Sequence, residues 1–373
     1  MSDHAFFLSL TDNYAYLFNA LLNSIEVFGA GSYAEVVAIH DGSLSDGYMS
    51  LVESAFSNLK TKVKFVPILV SPEDKDLGKA MTVKFYRYKA MAEMGQDYKS
   101  ICFIDTDIFL ASDVKEFFDI AAATDLTVAV KDNVIRHYKS DAGVGTCPAW
   151  ENGRKPYFQS ELWDAKFICN TPLWIDARKH GEVLIDVWAH RKKLGMDNTW
   201  PFNGDLETMN LVFDKHGLKR RMLVMPSHLW TGVHYSIYRT TTLVRRASVG
   251  DNVGLTDESF RRKILFLADN QDQIRSFHGR DWVCDANEAR LKTHNVPKLL
   301  SQMEGKFEGP SLDQAVARRA RTFDDIQAYF LWLQFDCHLS IEEVEKVASV
   351  KDMAYLRRRR QELDQTIRSF DSP

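Results

Sequence analysis

The sequence predicts an α/β fold in which a mixed, mainly parallel sheet is flanked by helices. Short apolar runs rich in strand formers alternate with stretches whose apolar residues recur at helical spacing. One of the short runs, residues 101–104, ends abruptly at Asp105 and Asp107. Because open α/β sheets bind ligands beyond the carboxyl ends of their strands, these two carboxylates are expected at a binding edge.

The alternation continues through most of the chain. Strands are predicted at residues 5–10, 34–39, 63–70, 101–104, 126–130, 163–170, 223–225 and 274–277. A turn at 11–14 is predicted to cap a helix that runs to about residue 28. Further helices are predicted at 48–59, 81–94 and 113–122, then after 170 to about 193, after the turn near 203, at 312–321, at 323–335, and after a cap formed by Ser340 and Glu343. No Gly-x-Gly-x-x-Gly fingerprint occurs, so a nucleotide bound by this fold must be held in another way.

Length and composition narrow the classes of protein. A chain of 373 residues can bury a large core, in one α/β domain or two closely joined ones. A net charge of −4 gives no strong nucleic-acid signal. Neither a signal peptide nor a transmembrane helix is predicted. The cysteines are odd in number with no Cys-x-x-Cys pair, which is typical of reduced thiols in a cytoplasmic protein. They are Cys102, Cys147, Cys169, Cys284 and Cys337.

The two aspartates have a chemistry of their own. Carboxylates at positions i and i+2 of an extended chain can point the same way, so Asp105 and Asp107 could bind a hard cation and leave coordination positions for a diphosphate. The pair has a plainer interpretation as turn or capping acids. Ser112, Asp113 and Glu116 already look like an N-terminal capping cluster for the next helix.

Four landmarks, taken in order, resemble those of the nucleotide-sugar-dependent glycosyltransferases of the GT-A fold, most closely the retaining enzymes of family 8. The resemblance covers roughly residues 6–282. The landmarks are Asp12-Asn13-Tyr14 after the first strand, Asp105-Thr106-Asp107, the segment 204–210, and a late strand that ends in His278-Gly279.

This resemblance implies a domain plan. Residues 1–290 would form the GT-A domain, with a nucleotide-binding half at 1–130 and an acceptor and sugar half at 131–290. Residues 291–373 would be a helical extension. Its four consecutive arginines, 357–360, circle a helix instead of lining one face, which favours a solvated helix over a membrane patch.

The resemblance also implies a metal site. Asp105 and Asp107 match the family's metal-binding pair, and His278 matches its third protein ligand. Two carboxylates and an imidazole suit Mn²⁺ better than Mg²⁺, which seldom takes nitrogen. The plainer alternative for His278 is a hydrogen-bonded surface histidine at a strand end.

Contacts to the donor follow from the same match. The first-strand turn would hold the nucleobase and ribose. The family often has an acid where Thr11 stands, so a preference for uracil is not fixed by that position. Arg280 stands in for the family's lysine on the diphosphate, in a shorter His-Gly-Arg-Asp-Trp ending. The predicted donor contacts are Ser9, Thr11, Asn13, Arg87, Thr106 and Arg280.

Sugar recognition and catalysis would involve Asp132, Asp164 and Asp205, because carboxylates accept hydrogen bonds from sugar hydroxyls. Leu206 stands where the family shows a glutamine near the anomeric carbon. A leucine side chain neither donates nor accepts. Either retention does not depend on that amide, or this chain differs in donor or stereochemistry. Asp205 also has a plainer interpretation, as a first-turn acid favoured by the helix dipole.

The function implied is metal-dependent transfer of a hexose from a nucleoside-diphosphate sugar, UDP-sugar first, to an acceptor hydroxyl with retention. The acceptor could be a glycan, a glycolipid, a protein or another hydroxyl compound, and contact with the inner face of a membrane stays open. Residues 136–159, rich in glycine and proline, predict a loop typical of lids and acceptor-binding elements. Two alternatives are a phosphohydrolase of the haloacid-dehalogenase kind, which also uses Asp-x-Asp, and a non-catalytic relative that binds sugar nucleotides.

Overall fold

A computed structural model provides the structure of the chain. It describes residues 2–72, 74, 79–106, 108–110, 114–131, 168–191, 204–225, 276–278, 331–348 and separate positions between 350 and 365.

Nine strands and seven α-helices have both of their ends within these residues, and residues 331–335 are helical as well. The strands are β1 (His4–Leu10), β2 (Ala34–His40), β3 (Lys62–Pro67), β4 (Ser100–Phe103), β5 (Ile108–Leu110), β6 (Thr127–Lys131), β7 (Ile168–Ile175), β8 (Met222–Met225) and β9 (Ser276–His278). The helices are α1 (Ala15–Val27), α2 (Asp46–Phe56), α3 (Lys79–Met94), α4 (Lys115–Ala123), α5 (Ala177–Ala189), α6 (Gly204–Lys215) and α7 (Ile341–Glu345).

Seven strands form one sheet in the order β3-β2-β1-β4-β7-β6-β8. Strand β7 runs antiparallel to both of its neighbours, and the other pairs are parallel. A mixed, mainly parallel sheet flanked by helices was predicted, and the structure confirms it. A second sheet pairs only β5 with β9.

The sheet is covered on both faces, which explains why its central strands read as continuous apolar runs. In β1, Phe6 and Leu8 point to the side packed by α1, α2 and α4, whereas Ala5 and Phe7 point to the side packed by α3, α5 and α6. All four residues are fully buried. The period-two alternation of a strand therefore divides the core into two layers.

Several predicted boundaries were wrong. Strand β3 ends at Pro67 and not at residue 70, and α2 ends at Phe56 and not at residue 59. The strand expected at 163–170 is β7, which extends to Ile175, five residues further. Pro172 lies inside β7 after a cis peptide bond, although proline cannot donate to a strand ladder. The helix expected from Asp113 begins at Lys115, with Val114 at its N-cap, so only Glu116 of the predicted capping cluster lies in its first turn.

A C-terminal segment, residues 331–348, packs on the first part of the chain. The side-chain amide of Asn23 donates to the carbonyl of Leu339 at 2.9 Å and to that of Leu333 at 2.7 Å. In return, the Leu339 amide donates to Asn23 Oδ1 at 3.1 Å. The predicted cap is confirmed, because Ser340 and Glu343 form a capping box. The helix expected at 312–321 lies outside the described residues, and of the helix expected at 323–335 only residues 331–335 are described, which are helical. The domain division stays a prediction.

Among the helices that the structure describes, none is both long enough and apolar enough to cross a membrane.

Candidate active site

The first predicted aspartate lies at the carboxyl edge of the large sheet, beyond the end of β4. The amide of Ile104 donates to the carbonyl of Phe7 at 2.9 Å, which continues the pairing of β4 with β1. The amide of Asp105 then donates to Thr171 Oγ1, on β7, at 2.9 Å. The backbone of Asp105 is thus fixed between two strands, while its side chain keeps 36% of its surface exposed.

Arg87 on α3 joins this aspartate to a second one. Its Nη2 lies 2.5 Å from Asp205 Oδ2, and its Nη1 lies 3.6 Å from Asp105 Oδ1. The Arg87 side chain is 1% exposed and that of Asp205 is 0% exposed. Asp205 lies in the first turn of α6, where the helix dipole favours an acid, and it is also a partner in a buried ion pair.

Aromatic neighbours orient the guanidinium. The central carbon of the Arg87 guanidinium lies 3.7 Å from the ring centroid of Phe103, and Nη2 donates to the hydroxyl of Tyr88 at 3.2 Å. Burial by itself lowers the pKa of Arg87, but Tyr88 and the carboxylates of Asp205 and Asp105 outweigh it and raise that pKa. Arg87 therefore keeps its charge and a fixed geometry inside the fold.

Lys84, one helical turn before Arg87, completes the group. Its Nζ lies 3.9 Å from Asp205 Oδ1, and its side chain is 38% exposed. We call Lys84, Arg87, Asp105 and Asp205 the Arg87 cluster. It brings two cations and two carboxylates to one sheet edge, with Lys84 and Asp105 on its exposed side. Such a group can donate to phosphate or hydroxyl oxygens and can accept from hydroxyls or contact a cation.

The predicted nucleobase residues lie at the end of β1, on the same edge. The Ser9 hydroxyl donates to the carbonyl of Val83 on α3 at 3.5 Å. The carbonyl of Thr11 accepts from the amide of Tyr14 at 2.9 Å. The amide of Asn13 donates to Asp12 Oδ1 at 2.8 Å.

The turn after β1 is also tied to the loop that follows β2. The amide of Asp12 donates to the Ser43 hydroxyl at 3.1 Å, and that hydroxyl donates to Asp41 Oδ1 at 2.5 Å. Gly42, which lies between Asp41 and Ser43 in the sequence, has a φ of 82°, a conformation that glycine adopts without strain. The two loops form one hydrogen-bonded rim beside the Arg87 cluster.

The predicted metal ligands are described only in part. Thr106 is buried, and Asp107 lies outside the described residues. Of His278 the backbone is described, and it pairs with Ile108, the residue that follows Asp107. In the described part of the chain, no three His, Cys, Asp or Glu residues are grouped as a metal site requires. The ligand set Asp105, Asp107 and His278 stays a prediction.

Three further predicted residues, Asp132, Asp164 and Arg280, lie outside the described part of the chain. Asp132 directly follows β6, whose carboxyl end lies at the same edge as that of β4, because both strands run antiparallel to β7.

The sequence reasoning overlooked several residues that shape this site. Lys84 and Arg87 stand at i and i+3, so their common face could have been recognised. Nothing local indicated that Thr171 would bond the Asp105 backbone, or that Phe103 would stack on Arg87. Those contacts depend on the pairing of strands and helices far apart in sequence.

The mixed, mainly parallel seven-stranded sheet flanked by helices is similar to that of the GT-A fold. Residues 6–166, somewhat less than half of the chain, match the family described as Glycosyl transferase family 8. The chain therefore shares its fold with a solved glycosyltransferase, and its residues 6–166 are similar to the family 8 glycosyltransferases.

Solved structures share the fold at low sequence identity. An apo structure of the bifunctional glycosyltransferase WbbM is 16% identical, with a TM-score of 0.52 and coverage of 85% of this chain and 52% of WbbM. This chain thus spans about half the length of that relative.

Two other structures have lower TM-scores. The galactosyltransferase LgtC, in complex with donor and acceptor sugar analogues, is 13% identical, with a TM-score of 0.46 and coverage of 84% of this chain and 99% of LgtC. The glycosyltransferase GlyE of Streptococcus pneumoniae TIGR4 is 11% identical, with a TM-score of 0.46 and coverage of 88% of this chain and 64% of GlyE. No curated protein matches the sequence.

Proposed function

We propose that the chain transfers a hexose from a nucleoside-diphosphate sugar, UDP-sugar first, to an acceptor hydroxyl in a metal-dependent reaction. The observation that supports this most is the Arg87 cluster. Arg87 and Asp205 come from elements that are 118 residues apart, and both are buried at the sheet edge beside Asp105. A buried charge pair costs desolvation free energy, so its presence at the carboxyl edge of the sheet favours a role in recognising a polar ligand.

In this proposal Arg87 contacts the donor and Asp205 orients it. The Asp205 carboxylate fixes one end of the guanidinium at 2.5 Å. Among the residues that the structure describes, Nε of Arg87 has no hydrogen-bond partner although it is buried. A buried N–H without an acceptor is costly, and an oxygen of the bound sugar nucleotide could accept a hydrogen bond from it. Lys84, on the exposed side, adds a second positive charge for the diphosphate.

Asp105, Asp107 and His278 would hold a divalent cation, Mn²⁺ before Mg²⁺. The exposed carboxylate of Asp105 and the pairing of residue 278 with residue 108 are compatible with that donor set. A bound cation supplies a Lewis acid that neutralises charge on the departing diphosphate. The buried Thr106 keeps the backbone between the two acids against the core.

The nucleobase and ribose would lie against the rim formed by Ser9, Thr11 and Asn13. Backbone and hydroxyl groups there are held by hydrogen bonds to α3 and to the loop after β2. A preorganised rim lowers the entropic cost of binding a flat, polar base. Arg280 is proposed as a further diphosphate contact.

We propose that transfer proceeds with retention and that Asp132 and Asp164 bind the sugar hydroxyls, whereas Asp205, predicted from the sequence to share this role, is fully buried and acts through Arg87. Leu206 is partly buried and packs against the core layer on the α3 side of the sheet. Its side chain thus contributes to packing. A retaining reaction in this chain would therefore use a group other than the side chain of residue 206 near the anomeric carbon.

The acceptor is proposed to be a glycan, glycolipid, protein or other hydroxyl compound met in the cytoplasm or at the inner face of a membrane. Aromatic and polar groups of residues 136–159 are candidates for its binding, and they lie outside the described part of the chain.

The test is donor hydrolysis and transfer by the purified chain with Mn²⁺ and a panel of UDP-, GDP- and ADP-sugars. We expect turnover with one donor class, its loss on chelation of the metal, and its loss in Arg87→Met. Lys89→Gln is the matched control, because Lys89 is an exposed cation on the same helix that pairs with Glu93. Failure of every donor to bind or react would refute the proposal. Binding without turnover would favour the non-catalytic alternative.

A further inference from the structure

A second buried arginine–carboxylate pair lies near the site and belongs to neither the Arg87 cluster nor the nucleobase rim. Asp74, in the connection between β3 and α3, is fully buried. Its Oδ2 accepts from Nε of Arg191 at 3.1 Å and from Nη2 at 2.8 Å. The same oxygen accepts from the hydroxyl of Tyr86 at 2.7 Å. We call Asp74, Tyr86 and Arg191 the Asp74 network.

The network joins three elements at one point. Tyr86 lies on α3, directly before Arg87, and its hydroxyl also accepts from the amide of Ser71 at 2.8 Å. Arg191 lies just after α5, and its guanidinium carbon lies 3.9 Å from the ring centroid of Trp188. The network therefore ties the loop before α3 to a side chain of α3 and to the end of α5.

Stability alone is a poor reason to retain such a network. Burying two charges costs several kcal/mol of desolvation per ion, and apolar residues of similar size are often as stabilising. Three donors converging on one oxygen instead fix relative orientation, because moving any one element breaks directional hydrogen bonds.

The orientation that is fixed is that of α3. Adjacent helical residues project about 100° apart, so Tyr86 and Arg87 point in different directions from one turn of the helix. A rotation or slide of α3 that disturbs Tyr86 displaces Arg87 and Lys84 as well. Displacements of about 1 Å at a reacting centre can cost about a hundredfold in rate.

We propose that Asp74 is a positioning residue, which acts through Tyr86 and Arg191 to set α3 so that Arg87 and Lys84 meet Asp205 and Asp105. The kinetic part of this inference depends on the glycosyltransferase function proposed above. Asp74 itself touches no substrate in this scheme.

The variants are Asp74→Asn, which keeps the shape and removes the charge, and Arg191→Met, which removes the donors. Glu93→Gln is the matched control, because it breaks an exposed ion pair on the same helix. We expect kcat for the donor sugar to fall about tenfold to a hundredfold in both variants, and UDP affinity in the presence of Mn²⁺ to weaken as well, because Arg87 and Lys84 are proposed to contact the diphosphate. The control should keep both quantities within about twofold.

A double variant and a conservative one sharpen the test. If the two residues act on α3 through each other, Asp74→Asn combined with Arg191→Met should lose no more kcat than the worse single variant. Arg191→Lys keeps the charge but loses the paired donors, so it should recover only part of the rate. Activities are compared at a temperature where thermal unfolding shows every variant folded.

Unchanged kcat in folded Asp74→Asn, with only a lower unfolding midpoint, would overturn the inference and leave Asp74 a structural residue. If the wild-type chain turns over no donor sugar, the proposed function fails, and amide hydrogen exchange tests the positioning alone. Asp74→Asn should then accelerate exchange in α3 more than in α1. Equal acceleration in both helices would refute the positioning role.

Discussion

The two edges of the large sheet carry charge in different ways. At the carboxyl edge, Arg87 and Asp205 are buried and paired at 2.5 Å. At the amino edge, charged groups surround an open cleft of about 700 Å³. There Lys115 pairs with Asp119 at 2.6 Å, with about half of each side chain exposed.

The difference separates ordinary surface charge from charge that folding must accommodate at a cost. Exposed ion pairs cost little to form and contribute about 0–1 kcal/mol. Burying a pair costs desolvation free energy that its attraction repays only with good geometry and further hydrogen bonds. The carboxyl edge thus holds charge that is costly to bury, and substitutions there should have larger effects than substitutions of the exposed charges at the amino edge.

Arg87→Met should have the largest effect, because it leaves the Asp205 carboxylate buried without its closest cation. We expect the free energy of unfolding to fall by about 3–5 kcal/mol and donor turnover to fall at least about a hundredfold. Urea denaturation and a donor hydrolysis assay measure the two losses. Adding Asp205→Leu should restore most of the stability and none of the activity. Recovery of activity in that double variant would contradict the contrast.

Asp105→Asn should separate activity from stability. The Asp105 side chain is 36% exposed and lies 3.6 Å from Arg87, so its charge adds little to folding. We expect turnover with Mn²⁺ to fall about a hundredfold and the free energy of unfolding to change by less than about 1 kcal/mol. A variant that keeps its turnover would remove Asp105 from the proposed metal site.

His4 should make the amino edge sensitive to pH. It is buried beside Phe118, and because the Ser100 hydroxyl donates to the carbonyl of Phe118, His4 Nδ1 donates to Ser100 Oγ at 2.8 Å. Burial lowers the pKa of His4 below its usual value of 6.5, although Asp119 and Asp3 oppose this. The charges of Lys115 and Lys99 act in the same direction as burial.

The His4 imidazole therefore binds a proton more readily in the unfolded chain than in the folded chain. The contribution of His4 to stability is present above about pH 6.5 and is lost as the pH falls through the lowered pKa of the folded state. Urea unfolding at pH 7.5, 6.5 and 5.5 should show a steeper loss for the wild type than for His4→Gln. Parallel curves would show that His4 does not titrate differently on folding. The effect should stay below that of Arg87→Met.

Lys115→Gln should have the smallest effect. Its pair with Asp119 is an exposed i,i+4 contact on α4. We expect the free energy of unfolding to change by less than about 0.5 kcal/mol, with donor turnover unaltered. A loss comparable to that of Arg87→Met would mean that the two edges do not differ as described.

Much of the fold could be predicted from the sequence, because strands buried on both faces are visible as apolar runs. The strands β1, β2 and β6 lie within two residues of their predicted bounds. Strand β7 was misplaced because Pro172 interrupts a segment whose pairing with β4 and β6 outweighs the missing backbone donor.

Site residues could be predicted only where a local sequence pattern or the family resemblance indicated them. Asp105 followed from its place after an apolar run, and Arg87 and Asp205 followed from resemblance. Their burial against each other could not be inferred, since it depends on how α3 and α6 meet. The pairing of Asp74 with Arg191 joins residues 117 apart in sequence, and no local pattern indicates it.

The contacts between Asn23 and Leu339 bear on how the protein is made. Because these residues are 316 positions apart, α1 leaves the ribosome long before the segment that covers it. At about 5–20 residues per second, roughly 15–60 seconds pass before Leu339 is synthesised. During that interval the polar Asn23 side chain and the neighbouring apolar surface of α1 lack their final covering. Helix α1 is therefore among the last helices to gain all of its packing contacts.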